Sequence, residues 1–192
     1  MKNKPLYFVD VETTGLNPER DRIIEFCIIK QSRYGDISYI HHRVDPEGMY
    51  VHPKAKEVNG YSHEKWKRDS ISQKLASDII FDFMGERGMI VAHNVSFDTG
   101  FIDNLLLKHG YKRVSRRKVD TYSLAYEHLV PMGLKKLSMD EIREFLGWNI
   151  NTHHDAKTDA FDVWRLYNRL CRMSIARRAY TWFFSLRYRI TR

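Results

Sequence analysis

Asp10 and Glu12 stand two residues apart at the end of the apolar run Leu6-Tyr-Phe-Val-Asp-Val11. Such a short run of β-formers reads as a buried strand. Side chains two apart on a strand share a face, so both carboxylates point the same way. Two carboxylates on one face of an apolar strand are costly unless neutralised. A divalent cation is the simplest neutraliser, and hard oxygen ligands suit Mg²⁺ or Mn²⁺. A strand end where both groups reach water is the bland alternative, and Asp-x-Glu alone does not choose between them. A second segment, His93-Asn94-Val-Ser-Phe97-Asp98, follows the apolar Met89–Ala92 and opens a helical stretch. Strand ends meeting helix starts are where sites gather in open α/β sheets. Ser96 is a candidate helix cap, which puts Asp98 in the first turn, where a carboxylate also has a plain helix-dipole role. His93 reads more readily as a satisfied core histidine than as a ligand. The third segment is His153-His154-Asp155-Ala-Lys-Thr-Asp159. Asp155 is a natural N-cap; Asp159, four residues on and on the same helix face, lies past the turn that capping explains. A histidine beside metal-bound carboxylates has the pKa range to take a proton from water near neutral pH. With Asp155 set aside as a cap and His93 as a core residue, the segments supply four carboxylates, Asp10, Glu12, Asp98 and Asp159, and a histidine beside the last of them. Four carboxylates balance two divalent ions, the arrangement of two-metal phosphodiester cleavage.

These residues need elements to position them. Leu6–Val11, Ile23–Gln31, Ile37–Val44 and Met89–Ala92 read as strands, with Val119 closing a last one. Tyr34-Gly35-Asp36 marks a hairpin turn between the second and third. Pro46, Gly48 and Pro53 mark a loop. Helical spacing covers Ser70–Met84, Phe97–His109, Thr121–Leu129, Leu137–Phe145 and Asp155–Met173. Three hairpin-linked strands followed by alternating helices and strands predict an α/β fold, a mixed sheet flanked by helices.

The 192 residues predict one domain, 1–173, with an appended segment, 174–192. Two cysteines, Cys27 and Cys171, without metal-ligand spacing or disulfide density, point to a reducing cytoplasm. The apolar run near the start ends at Asp10, too short for a signal peptide, and no run approaches the ~18 apolar residues of a membrane span. Secreted, collagenous, zinc-finger and integral-membrane classes are excluded on these grounds. The net charge is +8, from 32 Lys and Arg against 24 Asp and Glu. No acidic residue follows Asp162, whereas eight arginines do, so the last thirty residues account for the whole excess. They also hold seven aromatics. A basic, aromatic segment can meet phosphates and stack on bases, dock on a protein or lie on an anionic membrane. For 163–173 the reading is a terminal helix packed on the domain; for 174–192 it is a partner contact.

The motifs are similar to those of the DnaQ-like (DEDDh) 3′→5′ exonucleases, the family that includes the proofreading epsilon subunit of bacterial DNA polymerase III. Phe8-Val-Asp10-Val-Glu12-Thr13-Thr14-Gly15-Leu16 resembles the first exonuclease motif, His93-Asn94-x-x-Phe97-Asp98-x-x-Phe101 the second, and His154-x-Ala156-x-x-Asp159-Ala160 the third. Asp120-Thr121 before Leu124-Ala125 resembles a further family element. The resemblance spans roughly residues 5–170. It implies a ribonuclease H-like fold with a five-stranded mixed sheet, and two Mg²⁺ or Mn²⁺ ions held by Asp10, Glu12, Asp98 and Asp159. It implies His154 as general base in preference to His153. Thr13, Leu16, Asn94 and Phe97 would contact the terminal nucleotide. The implied activity is metal-dependent 3′→5′ hydrolysis of single-stranded or frayed DNA ends, releasing nucleoside 5′-monophosphates in proofreading or repair. An exoribonuclease of the ribonuclease T or oligoribonuclease type is the alternative. A docking module acting through its tail is the alternative from another class. The Arg- and aromatic-rich 174–192 has no counterpart in the family's catalytic core; in the polymerase subunit a C-terminal extension tethers the polymerase.

Overall fold

A computed structural model describes residues 4–85, 88–114, 117–149 and 155–172. The first strand, β1 (Leu6–Thr13), pairs antiparallel with β2 (Ile23–Gln31), which pairs antiparallel with β3 (Ile37–Val44). Two short helices follow, α1 (Pro53–Asn59) and α2 (His63–Asp69), then a two-residue strand β4 (Ser70–Ile71) and α3 (Gln73–Met84). The chain returns through β5 (Met89–Ala92), α4 (Val95–Lys108), β6 (Lys118–Asp120) and α5 (Thr121–Leu129). A 3₁₀ turn at Val130–Met132 leads to α6 (Met139–Phe145), and residues 156–172 form the last helix described, α7.

The sheet runs β4-β3-β2-β1-β5-β6, with β5 and β6 parallel to β1. All five expected strands are present. The sixth, β4, lies inside the stretch expected to be helical from Ser70. Ser70 and Ile71 pair in parallel with Arg43 and Val44 instead, and Ser72 accepts the Leu75 N–H at 3.1 Å to start α3. An edge with open hydrogen-bonding groups outcompetes one further helical turn here.

Alternation along β1 divides the core. Tyr7, Val9 and Val11 face a layer built on α3 and α4, with Ile80, Phe101, Ile102 and Leu106. Phe8 faces the opposite layer, where Ala125, Ile142, Ala156, Ala160 and Val163 come from α5, α6 and α7. In that layer Phe8 meets Tyr167 edge-on at 5.4 Å, and the Trp164 indole donates to Gln31 Oε1 at 2.9 Å. The aromatics of 163–172 therefore pack on the domain. Among the described residues, no helix is long and apolar enough to cross a membrane.

Candidate metal centre and cleft

Continuing the β1 alternation past Phe8 puts Asp10 and Glu12 on the α5–α7 side, at the strand's C-terminal end. β5 matches β1 only as far as Phe8, opposite Val91. Beyond it, β1 has an open edge, and the first turn of α4 fills part of it: Val11 N–H donates to Asp98 Oδ1 at 3.1 Å. Asp98 is 3% exposed. Its helix begins at Asn94, which holds φ 69° without a side-chain cap bond. Ser96, expected as the cap, lies one turn-fraction inside the helix instead. The backbone N–H groups of Asn94 and Val95 at the helix start are met by Asp120, at 3.0 and 3.3 Å, and Asp120 also caps α5 through Tyr122 N–H at 2.9 Å. Asparagine tolerates the left-handed region better than most residues, and such backbone is concentrated at functional sites.

From the other layer, α7 brings Asp159. Asp155 accepts the Thr158 N–H at 2.9 Å, as expected for an N-cap. Ala156, Asp159, Ala160 and Val163 then recur at helical spacing on the buried face. Ligand oxygens of Asp10, Glu12 and Asp159 all lie within 4.8 Å of one another. Asp98 lines the same cleft but is not one of this close trio. Burial, and then repulsion from Asp98, Asp159 and Glu12, hold the Asp10 carboxyl well above the usual carboxylate range. Burial pushes Asp98 up to about 8, with Asp120 and Asp159 adding to the rise. Crowded, desolvated carboxylates of this kind are an all-oxygen donor set that a hard divalent cation neutralises.

The carboxylates floor a cleft of about 690 Å³. Thr13, Leu16, Asn94 and Phe97, the residues the resemblance assigns to the terminal nucleotide, line it. Leu16 is 84% exposed at the lip. Thr13 is buried, and its hydroxyl donates to Gly15 O at 2.6 Å. Gly15 is required by close approach: a Cβ there would lie 2.6 Å from the Asp21 carboxylate oxygens. That carboxylate ties the lip together, accepting from Thr14 Oγ1 at 3.0 Å and from Asn17 N–H at 2.8 Å. His93 also lines the cleft, with one ring nitrogen 3.1 Å from Thr121 Oγ1 and the other 2.7 Å from Leu137 O. Burial lowers its pKa. It is the satisfied histidine its sequence context predicted. His153 and His154 lie outside the described residues, as does 174–192.

Two contributions were not read from the sequence. The far wall comes from the segment taken as a loop: Tyr50, His52, Lys54 and Val58 line the cleft, and Asn59 Nδ2 donates to Thr13 O at 3.3 Å. The second is Arg143 on α6, fully buried, which donates to Asp159, Asp162 and Asp140. Met139, Ile142, Arg143 and Leu146 recur at helical spacing, so the arginine's place on a buried face was present as a pattern.

An acidic cluster at the C-terminal end of a central strand, under a cleft between two helical layers, defines an α/β fold with a candidate divalent-metal site. Residues 7–167 match the family model described as Exonuclease (RNase T), and the chain belongs to this exonuclease family. It is 30% identical over 160 residues to a PolC-type DNA polymerase III of Pediococcus pentosaceus, covering 83% of this chain and 11% of that protein. It is 27% identical over 151 residues to the DNA polymerase III epsilon subunit of Treponema pallidum, covering 79% of this chain and 69% of the subunit. It is 31% identical over 119 residues to ribonuclease T of Shewanella frigidimarina, covering 55% of this chain and 54% of that enzyme. The chain thus spans about a tenth of the PolC-type relative's length. The fold is shared with E. coli exonuclease I in complex with a dT13 oligonucleotide: TM-score 0.76 at 17% identity, over 94% of this chain and 43% of that one. A zinc-bound form of the E. coli ExoI–ssDNA complex gives 0.73 at 18% identity, over 95% and 43%.

Proposed function

We propose that this chain is a divalent-metal-dependent 3′→5′ exonuclease that removes nucleoside 5′-monophosphates from nucleic-acid ends, with DNA as its preferred substrate. The observation that carries the reading is the trio Asp10, Glu12 and Asp159, with oxygens within 4.8 Å of one another on the floor of an open cleft. With Asp98 beside them, these carboxylates would hold two Mg²⁺ or Mn²⁺ ions. When bound, such ions polarise a phosphoryl oxygen, acidify water and stabilise a leaving oxygen.

The remaining work falls to the chain. Leu16 at the lip and Phe97 in the wall offer apolar surface to the terminal base. Thr13 and Asn94 orient the terminal nucleotide so that its phosphorus faces the carboxylates. His154, one residue before the α7 cap Asp155, accepts the proton of the attacking water. The new bond joins water oxygen to phosphorus, and the bond from phosphorus to the preceding 3′ oxygen breaks. DNA is preferred because the PolC-type and epsilon relatives are named as DNA polymerase III proteins and exonuclease I is described with a DNA oligonucleotide. The ribonuclease T relative favours RNA as the second reading. We assign 1–173 as the catalytic unit and 174–192 as a contact for nucleic acid or a polymerase subunit.

The test uses 5′-labelled single-stranded DNA and RNA of one sequence, incubated with Mg²⁺, Mn²⁺ or EDTA. The expected result is a one-nucleotide ladder shrinking from the 3′ end, lost in EDTA and in Asp10→Ala. Near-normal cleavage by a clean Asp10→Ala preparation sinks the assignment. Faster cleavage of RNA replaces the first reading with the second. His154→Ala is expected to slow cleavage by roughly 10²–10⁴-fold; an unchanged rate removes it from the base role.

A further inference from the structure

We propose that Arg143 is a positioning residue for the metal centre: its buried guanidinium, clamped between α6 and α7, fixes the Asp159 carboxylate in the orientation that divalent-cation binding requires. The proposal rests on the reading of Asp10, Glu12 and Asp159 as metal ligands.

Arg143 is fully buried, which is rare for an arginine unless it is paired. Each of its three nitrogens serves a different carboxylate. Nε donates to Asp162 Oδ2 at 2.7 Å, Nη1 to Asp140 Oδ1 at 2.7 Å, and Nη2 to Asp159 Oδ1. The three partners are not equivalent. The side chain of Asp140 is 46% exposed and sits three residues earlier on the same helix. Asp162, on α7, has a side chain 15% exposed. Neither lines the cleft, whereas Asp159 does, with its side chain 9% exposed. A clip joining α6 to α7 is complete with Asp140 and Asp162. The third contact reaches the cleft floor.

The guanidinium is planar and presents its donors in a rigid fork. Asp162, bonded to Nε from the facing helix and the less exposed of the two carboxylates outside the cleft, therefore sets the plane, and the plane sets where Nη2 points. That direction anchors one oxygen of Asp159 and with it the rotation of the carboxylate. Groups that hydrogen-bond to a metal ligand from behind in this way fix its geometry, and losing one typically weakens metal affinity. Arg143 also places a positive charge behind a crowded acidic site, which limits the repulsion Asp159 would otherwise bring to Asp10 and Glu12. A lysine could supply the charge but not the three-way fork.

The test is a Mn²⁺ titration of the full chain, followed by the electron paramagnetic resonance signal of the free ion. The proteins are wild type, Arg143→Met, Arg143→Lys, Asp140→Asn and Asp10→Asn, each checked for folding by circular dichroism. Arg143→Met is expected to weaken Mn²⁺ binding by roughly 10- to 100-fold, with Arg143→Lys between it and wild type. Asp140→Asn loosens the same clip outside the cleft and is expected to bind Mn²⁺ as wild type does. Exonuclease activity of Arg143→Lys should recover towards wild type as Mn²⁺ is raised. A folded Arg143 variant with wild-type Mn²⁺ affinity overturns the proposal, as does an Asp140→Asn that loses affinity equally, since the clip is then only structural. If Arg143→Met does not fold, Arg143→Lys decides on the same criterion. A wild type that binds no Mn²⁺, or an Asp10→Asn that binds it unchanged, overturns the metal reading and this proposal with it. Binding lost in Asp10→Asn but kept in the Arg143 variants overturns this proposal alone.

Discussion

Asp10 bears the electrostatic strain of the site. Burial and three neighbouring carboxylates all favour its protonated form, and burial pushes Asp98 the same way, to about 8. The consequence for stability has a definite sign. When folding raises an acid's pKa, the native state binds more protons than the unfolded chain between the two values, so stability falls as pH rises through that window. For Asp98 the window runs from 3.8 to about 8. In EDTA, wild type is expected to lose more stability than Asp98→Asn between pH of about 5 and about 8, and Mn²⁺ should remove most of that difference. Thermal melts across the pH series check this; equal slopes for the two proteins in EDTA would contradict it. A related expectation is that Asp10→Asn is inactive yet more stable than wild type in EDTA, by about 1 kcal/mol, because functional sites commonly trade stability for activity. Urea melts of the two proteins measure it.

At the scale of elements, the site exists because β1 outruns β5. The overhanging end leaves backbone groups that α4 must satisfy, and doing so brings Asp98 to the cleft. The β1–β2 connection forms the lip, and its compactness depends on Gly15. In Gly15→Ala the new methyl meets the Asp21 carboxylate at 2.6 Å, so the bonds from Thr14 and Asn17 must give way. Overpacking of this kind costs about 1–3 kcal/mol. The expected outcome is that loss in urea melts together with weaker oligonucleotide binding; a variant matching wild type in both argues that the lip simply shifts. The opposite wall, α1, was illegible in the sequence for a physical reason. Pro53 looked like a loop residue, yet proline is well placed in a helix's first turn. At seven residues, α1 buries only Asn59 and α2 only Trp66, so neither displays an apolar stripe. What holds α2 is a tertiary bond: the Trp66 indole donates to Ile24 O at 2.6 Å.

For the whole molecule, charge is distributed unevenly along the chain. Cutting after Met173 removes five arginines and no acidic residue, so the net charge falls from +8 to +3. If 174–192 contacts nucleic-acid phosphates, the truncated chain keeps turnover on short oligonucleotides but binds long single strands more weakly and with a shallower salt dependence, since each neutralised phosphate contributes a slope of about 0.7 for single strands. Fluorescence anisotropy against salt concentration measures this. An unchanged slope with loss of a polymerase partner in pull-down assigns the tail to protein contact instead.

The sequence by itself determined five of the six strands, the larger helices and the ordered motifs. Those depend on local periodicity and on residue chemistry carried by single segments. It also placed Asp10 and Glu12 on one face, because strand alternation is a local rule. Only the tertiary structure decided that Asp159 joins them within 4.8 Å while Asp98 stands beside the trio, serving the β1 backbone as well. Only the tertiary structure, likewise, turned an arginine at a helical-core spacing into a bridge from α6 to Asp159. A buried charge is stable only against specific partners, and two of these, Asp159 and Asp162, lie sixteen and nineteen residues away on another helix.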